Sequence, residues 1–483
     1  MKNNVDLDSP VHRKGCLLIS GAYPPVKHSG VFRVAAIGRH LESVGWNVQV
    51  ITASDRYSAV EHYPEDDEPP AGEVIRVDWN HQRTENTLSN RLRRNLIRLP
   101  ILSGLIQRRE RKSLAAKIWA QAKTTLRTES LSVVIASSPP TLAALIGQVA
   151  ARELRLPLVI DLRDPWTYSI GAIYRSPLDL LIQARIEGKV LSDASLIIAN
   201  TETSRRALLR DFRLNPEKVL VLPNGYDEAS CSASEARIRS RGNARRQFKI
   251  VYAGLSSSHV EQPRRSGFLK KLLNLDVEPV ETDWTVRSPR YVLEALRRFC
   301  ETRPEVVKDL VLQWVGPISE VTESLFADYR RHFCIEVPGA VSEQAALDYI
   351  FAGDLLVLLQ VGMKRNGREE CTAIPGKLYS YLRAGKPILS IADSAELRDL
   401  LADVPETTHV RARDVDSIVS SLTERFDAWQ AMKGGDRPVI PNSFTRRYDR
   451  ARQMETLNSW LVQVVGRRRV CDPIPVTDSN QVQ

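Results

Sequence analysis

Apolar positions along the chain fall into short continuous runs separated by stretches in which they recur at helical spacing. In the first series the runs are Cys16–Ser20, Val48–Ile51, Val133–Ala136, Leu158–Leu162, Leu196–Ala199 and Val219–Leu222. Between the first two, Val34, Ile37, Leu41 and Val44 recur every three or four residues up to Gly45. Further helices are predicted over Pro140–Leu154, near Leu178–Leu191, and up to Phe212. A second series has runs at Ile250–Ala253, Leu310–Val315, Cys334–Val337, Leu355–Leu359, Pro387–Ile391 and Thr408–Val410. Its helices are predicted at Arg290–Phe299, Ser342–Phe351 and Gly376–Arg383. Apolar strands alternating with amphipathic helices make a parallel sheet covered on both faces. The expectation is an α/β chain of two tandem doubly wound domains.

The expected boundaries follow the composition. Residues 1–14 form a polar tail, 15–227 the N-terminal domain and 228–246 a Ser- and Arg-rich linker. Residues 247–440 form the second domain, interrupted by a polar, basic and irregular insertion at 256–285. A final helix over 441–466 precedes a disordered tail, 467–483. A length of 483 residues agrees with two domains of about 200 residues each.

Composition excludes several classes. The chain is 43% hydrophobic and 26% charged, as folded globular proteins are. No apolar run approaches the roughly 18 residues of a membrane span, and the polar Met1–Lys14 stretch argues against a signal peptide. Cysteines 16, 231, 300, 334, 371 and 471 show no C-x-x-C pair, which argues against a disulfide framework or a metal site. A reducing cytoplasm is the expected location.

The net charge of +10 is local: Arg83–Arg127 holds twelve Lys/Arg against Glu85 and Glu110. Leu92, Leu96, Ile97, Leu99, Ile101, Leu102, Leu105 and Ile106 interleave there with Arg91, Arg93, Arg94, Arg98, Arg108 and Arg109. That mixture suits peripheral contact with anionic lipid, and equally a solvated helix with an ordinary buried stripe. Nucleic acid is not expected, because no aromatic platform lies between Arg83 and Ile118.

No G-x-G-x-x-G, P-loop, H-E-x-x-H or G-x-S-x-G signature follows a predicted strand. Two other segments suit anions. Gly30 opens the first helix after Tyr23-Pro24-Pro25, where backbone N–H groups can meet an anionic oxygen; a turn requirement alone would also explain a glycine. Pro375-Gly376-Lys377 opens a helix with a cation in its first turn, a place for a diphosphate or an ordinary capped helix with a surface lysine.

The run Ile374-Pro375-Gly376-Lys377-Leu378-Tyr379 through Gly385-Lys386-Pro387 resembles the donor-site helix of retaining, glycogen-synthase-like (family 4 type) glycosyltransferases. Tyr23-Pro24-Pro25 with Ser29-Gly30, Pro223-Asn224-Gly225-Tyr226-Asp227 and Val251-Tyr252-Ala253-Gly254 agree in order. Ala136-Ser137-Ser138-Pro139-Pro140 and Asp161-Leu162-Arg163-Asp164-Pro165-Trp166 resemble a subgroup that builds bacterial surface polysaccharides. The resemblance implies two Rossmann-like domains (GT-B) about a cleft. A nucleotide-diphosphate sugar is then the substrate, held mainly by the second domain, with no metal or other cofactor, and a glycan or lipid-linked acceptor is held mainly by the first. Gly30, Arg287, Gly376 and Lys377 fall at its donor-binding positions. Thr372 and Ser380, also donor-binding positions in this resemblance, stand where the family commonly carries two glutamates; their hydroxyls can still hydrogen-bond to a ribose or sugar hydroxyl.

The family account of retention needs no protein nucleophile: the leaving diphosphate takes the acceptor proton, and the protein stabilises charge. Asp161, Asp164 and His28 are the candidate catalytic groups; the two aspartates equally suit loop capping, and a lone loop histidine suits many roles. A nucleotide-sugar epimerase of the same shape is one alternative. An inactive scaffold is another, raised by Thr372 and Ser380.

Overall fold

The computed structural model describes residues 14–26, 29–54, 70–79, 100–240, 247–255, 276–432 and 442–471. Its first lobe is a seven-stranded sheet in the order β3-β2-β1-β4-β5-β6-β7. The strands are β1 (Gly15–Ser20), β2 (Asn47–Ala53), β3 (Glu73–Val77), β4 (Leu131–Ser138), β5 (Leu158–Leu162), β6 (Leu196–Ala199) and β7 (Val219–Val221). Every pairing is parallel. Helices α1 (Ser29–Ser43), α2 (Pro100–Lys123), α3 (Thr141–Glu153), α4 (Pro177–Asp193) and α5 (Glu202–Phe212) connect them. Alternate residues serve two cores: Leu17, Ile19, Val134 and Ile160 face one, Leu18, Ile135, Val159 and Ile198 the other. Burial on both faces is why these strands read as unbroken apolar runs.

The second lobe repeats the plan. Its six-stranded parallel sheet runs β11-β10-β8-β12-β15-β16. These are β8 (Phe248–Ala253), β10 (Leu310–Val315), β11 (Cys334–Gly339), β12 (Leu355–Leu359), β15 (Ile388–Ile391) and β16 (Thr407–Val410). Around it lie α6 (Glu228–Ser240), α7 (Arg290–Thr302), α8 (Glu320–Tyr329), α9 (Glu343–Ala352), α10 (Lys377–Ala384), α11 (Ala395–Leu401) and α12 (Val415–Ala431). In α7, Val292, Leu293, Leu296, Phe299 and Cys300 are buried at i, i+3/i+4 spacing. Glu294 pairs outward with Arg297 and Arg298. In both sheets the order reverses beside the first strand, at β1/β4 and at β8/β12. The crevice outside such a reversal is where open α/β sheets bind ligands.

Three expectations need revision. Residues 228–240 are not linker but α6, whose Arg237 and Ser234 bond Asp348 of α9. Only Cys231 and Ser234 of this helix are buried, so its sequence carries no apolar stripe to announce it. Of the 256–285 insertion, the described part yields β9 (Glu281–Asp283), which pairs antiparallel with β13 (Gly362–Arg365), itself paired with β14 (Arg368–Glu369). The last helix, α14 (Arg450–Cys471), extends past residue 466, after the short α13 (Asn442–Thr445). It lies on the first lobe: Met454, Leu457 and Leu461 are buried with Val34 and Ile37, and Trp46 Nε1 donates to Asn458 Oδ1 at 2.9 Å.

In α2, Ala115, Ile118, Trp119 and Ala122 are buried in the lobe core. This half of the basic segment is thus a helix with a core-facing stripe, exposing Arg108, Arg109, Lys112, Lys117 and Lys123. Residues 80–99, including Arg91, Arg93, Arg94 and Arg98, lie outside the described residues. Among the described residues no helix is long and apolar enough to cross a membrane.

Candidate functional site

On the first lobe, the loops after β1, β4 and β5 are laced together by two arginines. Arg33, on the first turns of α1, is buried, and its guanidinium grips the fully buried Asp161 (Nε to Oδ1, 3.0 Å; Nη2 to Oδ1, 2.8 Å). Ser137 Oγ donates to the other oxygen at 2.9 Å. Arg33 Nη1 also donates to the carbonyls of Leu222 and Pro223, at 2.9 and 3.0 Å, where the chain leaves the lobe. Both Asp161 oxygens are therefore engaged, by Arg33 and by Ser137. Pairing with Arg33 and the bond from Ser137 offset the cost of burying the Asp161 charge. Sequence reasoning missed Arg33, which lies 128 residues from its partner.

Arg163 donates to the carbonyls of Gly30 and Pro139, so Gly30 sits on the same lattice, at the start of α1. Asp164 is half-buried with no ion-pair or hydrogen-bond partner among the described residues, and burial raises its carboxyl pKa against the pull of Arg163. The following backbone is held by Glu187 of α4, which accepts from Trp166 and Thr167 N–H at 3.3 and 2.8 Å. Burial pushes Glu187 up to about 7. His28 lies outside the described residues.

On the second lobe, Lys377 opens α10 and reaches back to the end of β8. Its ammonium is buried without a hydrogen-bond partner among the described residues and lies 3.6 Å from the centroid of the Tyr252 ring. Burial, with the nearby Arg287 charge, drives its pKa well below the ordinary lysine value. Arg287 is half-buried and donates to Leu255 O at 3.2 Å. A Cβ at Gly254 would stand 2.9 Å from Lys377 Nζ, and the φ of +116° there also favours glycine. Gly316, φ +136°, packs on the Gly254 carbonyl. Space is open at Gly376. The result is a cluster of two basic side chains beside the β8/β12 reversal.

Tyr381 fixes α10 beneath this cluster, accepting from Ala253 N–H at 3.0 Å. Arg383 anchors its end to Glu228 and Glu235 of α6. Thr372 is buried with its hydroxyl unpartnered, in a loop that Gln360 Nε2 holds through Ala373 O at 2.6 Å. Ser380 is half-buried one turn into α10. The structure thus brings Lys377, Arg287 and Gly376 to one place, with Thr372 alongside in the preceding loop; Gly30 belongs to the facing lobe. Among the described residues no three His, Cys, Asp or Glu side chains gather as metal ligands.

The lobes touch directly. Thr201 Oγ1 caps α5 and donates to Thr372 O at 3.2 Å. Glu396 of α11 accepts from the N–H groups of Glu202 and Thr203 at the same helix end. Arg210 makes a bidentate pair with Glu370 (2.7 and 3.0 Å), and Arg365 pairs with Asp211 while lying 3.4 Å from the Tyr168 ring centroid. Tyr174 and Val277 exchange backbone hydrogen bonds at 2.8 and 2.6 Å.

Residues 31–225 match the model of the glycosyl transferase 4-like domain. The whole chain is similar in fold to three solved structures. HepE from Anabaena, in complex with UDP and glucose, is 13% identical with a TM-score of 0.54, covering 92% of this chain and 99% of that one. Sucrose-phosphate synthase from Thermosynechococcus elongatus is 13% identical, TM-score 0.57, covering 94% and 100%. An enzyme described as a putative UDP-N-acetylglucosamine 2-epimerase from Listeria monocytogenes is 11% identical, TM-score 0.51, covering 95% and 98%. The fold is GT-B. No curated protein matches in sequence. Because transferases and an epimerase share this GT-B arrangement, the fold alone does not select the reaction.

Proposed function

We propose that the protein is a retaining, hexosyltransferase-like glycosyltransferase that moves a sugar from a nucleotide-diphosphate sugar to a glycan or lipid-linked acceptor in surface polysaccharide synthesis. The observation that carries this reading is the buried, unpartnered Lys377 ammonium beside Gly254 and Arg287. An unpaired buried cation is costly, and a diphosphate is the ligand class that satisfies it. The glycosyl transferase 4-like match over residues 31–225 favours transfer over epimerisation.

In this reading Lys377 and Arg287 stabilise the leaving diphosphate as the bond from the sugar's anomeric carbon to the phosphate oxygen breaks. The acceptor oxygen bonds to the same face of that carbon, and its proton passes to the departing phosphate oxygen. Gly30 approaches the phosphates from the first lobe. Asp164, unpartnered, orients the acceptor hydroxyl, and Arg33 with Asp161 holds the loops in register. The reaction as drawn uses no metal.

We place the enzyme in the cytoplasm, in peripheral contact with the inner membrane face. Exposed Arg108 and Arg109 on α2, and exposed Ile173, Leu178 and Leu181 beside and on α4, support this; Arg111 of α2 bonds Gln183 of α4, so the two helices adjoin.

The deciding experiment is thermal unfolding with UDP, GDP, ADP and dTDP, each alone and as a sugar conjugate. A ligand that binds only the folded state raises the midpoint. Stabilisation by one nucleotide series, lost in Lys377→Met, is the expected result. No response to any of them overturns the reading.

A further inference from the structure

Tyr252 follows Phe248 and Ile250 in the core-facing row of β8 and is fully buried at the carboxyl end of the strand. Trp314 stands opposite it in the pairing of β8 with β10 and stacks on its ring, with centroids 4.0 Å apart and planes 18° from parallel. Phe326 packs edge-on against Trp314 at 5.5 Å. The tyrosine ring is therefore pinned. Lys377 Nζ lies 3.6 Å from the same ring centroid. An indole and an ammonium cannot share one face at these distances, so the lysine covers the face that Trp314 leaves open. The hydroxyl has a second contact. Tyr252 Oη donates to the Leu255 carbonyl at 2.6 Å, and Arg287 Nη2 donates to the same oxygen at 3.2 Å. Burial raises the pKa of this hydroxyl, and the Arg287 charge beside it opposes the rise.

One buried side chain thus meets both basic groups, Lys377 through its face and Arg287 through a shared carbonyl. Packing alone would be served by phenylalanine, since the hydroxyl reaches past the core to the loop after β8. We propose that Tyr252 is a positioning residue for the donor diphosphate: its ring seats the Lys377 ammonium, and its hydroxyl, through the Leu255 carbonyl, sets the Arg287 guanidinium. The inference rests on the donor reading above and adds to it the residue that holds the two cations. A lysine on a flexible four-carbon stem loses rotamer freedom when a ligand fixes it, and one seated in advance has little left to lose. The ring's negative face also favours the ammonium over the neutral amine, in a place where burial does the opposite. Contact with the ring uses one side of the ammonium and leaves N–H groups for phosphate oxygens.

The test changes the charge of the ring and keeps its shape. Titration calorimetry on the full chain with UDP, GDP, ADP and dTDP selects the tightest nucleotide. Its affinity is then read in Tyr252→Phe and in chains carrying phenylalanine with one, two or three ring fluorines at position 252, each fluorine weakening the negative face. A stepwise fall of about fivefold to tenfold along the series is expected. In the Lys377→Met background the same series stays within about twofold, and thermal shift at millimolar nucleotide reads it where calorimetry is too weak. The hydroxyl is read separately: Tyr252→Phe weakens binding about threefold when Arg287 is present and has no effect in Arg287→Ala. Thermal unfolding without ligand confirms that each variant is folded. Affinity that ignores fluorination, or that follows it equally in Lys377→Met, overturns the seat for Lys377 and leaves the donor site standing. An equal effect of Tyr252→Phe with and without Arg287 overturns the role of the hydroxyl. Absence of nucleotide binding in the wild type overturns this inference and the donor reading together.

Discussion

The ammonium of Lys377 lies 3.6 Å from the centroid of the Tyr252 ring and has no hydrogen-bond partner among the described residues. A ring face recovers part of the desolvation cost of a cation but gives its N–H groups no acceptor. The residue therefore opposes folding in the free protein and becomes favourable only when an anion arrives. Lys377→Met should raise the free protein's stability by about 1–3 kcal/mol, the cost of an unsatisfied buried polar group. The same substitution should weaken nucleoside-diphosphate binding by about 1.5–3 kcal/mol, as should Arg287→Ala, the range for hydrogen bonds to charged groups. Denaturant melts and calorimetry read both effects. Undiminished affinity in Lys377→Met would remove the lysine from the site.

The same burial makes binding proton-linked. In the free protein the pKa of Lys377 is depressed, and a bound diphosphate restores it by stabilising the charged form. Between the free and bound values, binding takes up a proton, so affinity falls as pH rises toward the ordinary lysine value of about 10.4. Calorimetry in buffers of different ionisation enthalpy should show net uptake, absent in Lys377→Met. Identical pH dependence in wild type and variant would contradict the linkage.

How much of this the sequence discloses depends on distance and on element length. Lys377 is legible because Pro375, Gly376 and the lysine are consecutive, and the start of a helix is a local property. The strands of both sheets are legible because burial on two faces leaves unbroken apolar runs such as Leu355–Leu359. The pairing of Arg33 with Asp161 is not, since 128 residues separate them and nothing local to either names the other. Strands of two to four residues, as in β9, β13 and β14, are too short to show a period. Helix α6 escaped because its buried contacts with Asp348 are polar.

Glu187 gives a stability prediction with a definite sign. Its carboxyl is pushed up to about 7 by burial, against an ordinary value near 4.5. Between these values the folded state holds a proton that the unfolded state has lost, so its contribution is full below about pH 4.5 and declines as pH rises through 7. The loss is about 3 kcal/mol, from about 1.4 kcal/mol per pKa unit. Glu187→Gln carries no titrating proton, so it should match wild type in acid and exceed it by about that amount near pH 8. Urea melts across this range test it, and a constant offset between the proteins would show that Glu187 is ionised throughout.

Membrane contact is tested with vesicles. Binding to vesicles containing anionic lipid should weaken with salt, because headgroup attraction decays over a Debye length of about 10 Å at 0.1 M. Arg108→Gln with Arg109→Gln should reduce binding by up to about 2 kcal/mol, near 1 kcal/mol per cation. Leu178→Ser with Leu181→Ser should reduce it further if these exposed side chains enter the interface. Nucleotide affinity should not change in either variant. Wild-type protein that ignores anionic vesicles at low salt would return α2 to the role of a solvated face.

The last prediction concerns the contact between lobes. Arg365, Asp211 and Glu370 are 11%, 10% and 15% exposed, so their pairing is poorly screened, while Arg210 at 55% adds less. Removing Arg365 leaves two nearly buried carboxylates sharing one half-exposed cation, and it strips the guanidinium from the Tyr168 ring. Stability should fall by about 1–3 kcal/mol in Arg365→Ala. The functional consequence is separable from the thermodynamic one, because the cluster of Lys377, Arg287 and Gly254 lies wholly within the second lobe. In Arg210→Ala/Arg365→Ala, nucleoside-diphosphate affinity should stay within about twofold of wild type, the limit expected when none of the charged donors is touched. Solution scattering should show a larger radius of gyration as the cleft opens, and turnover of the nucleotide sugar should drop, since its two halves no longer meet in register. Wild-type scattering together with full turnover would reduce the network to a surface ornament.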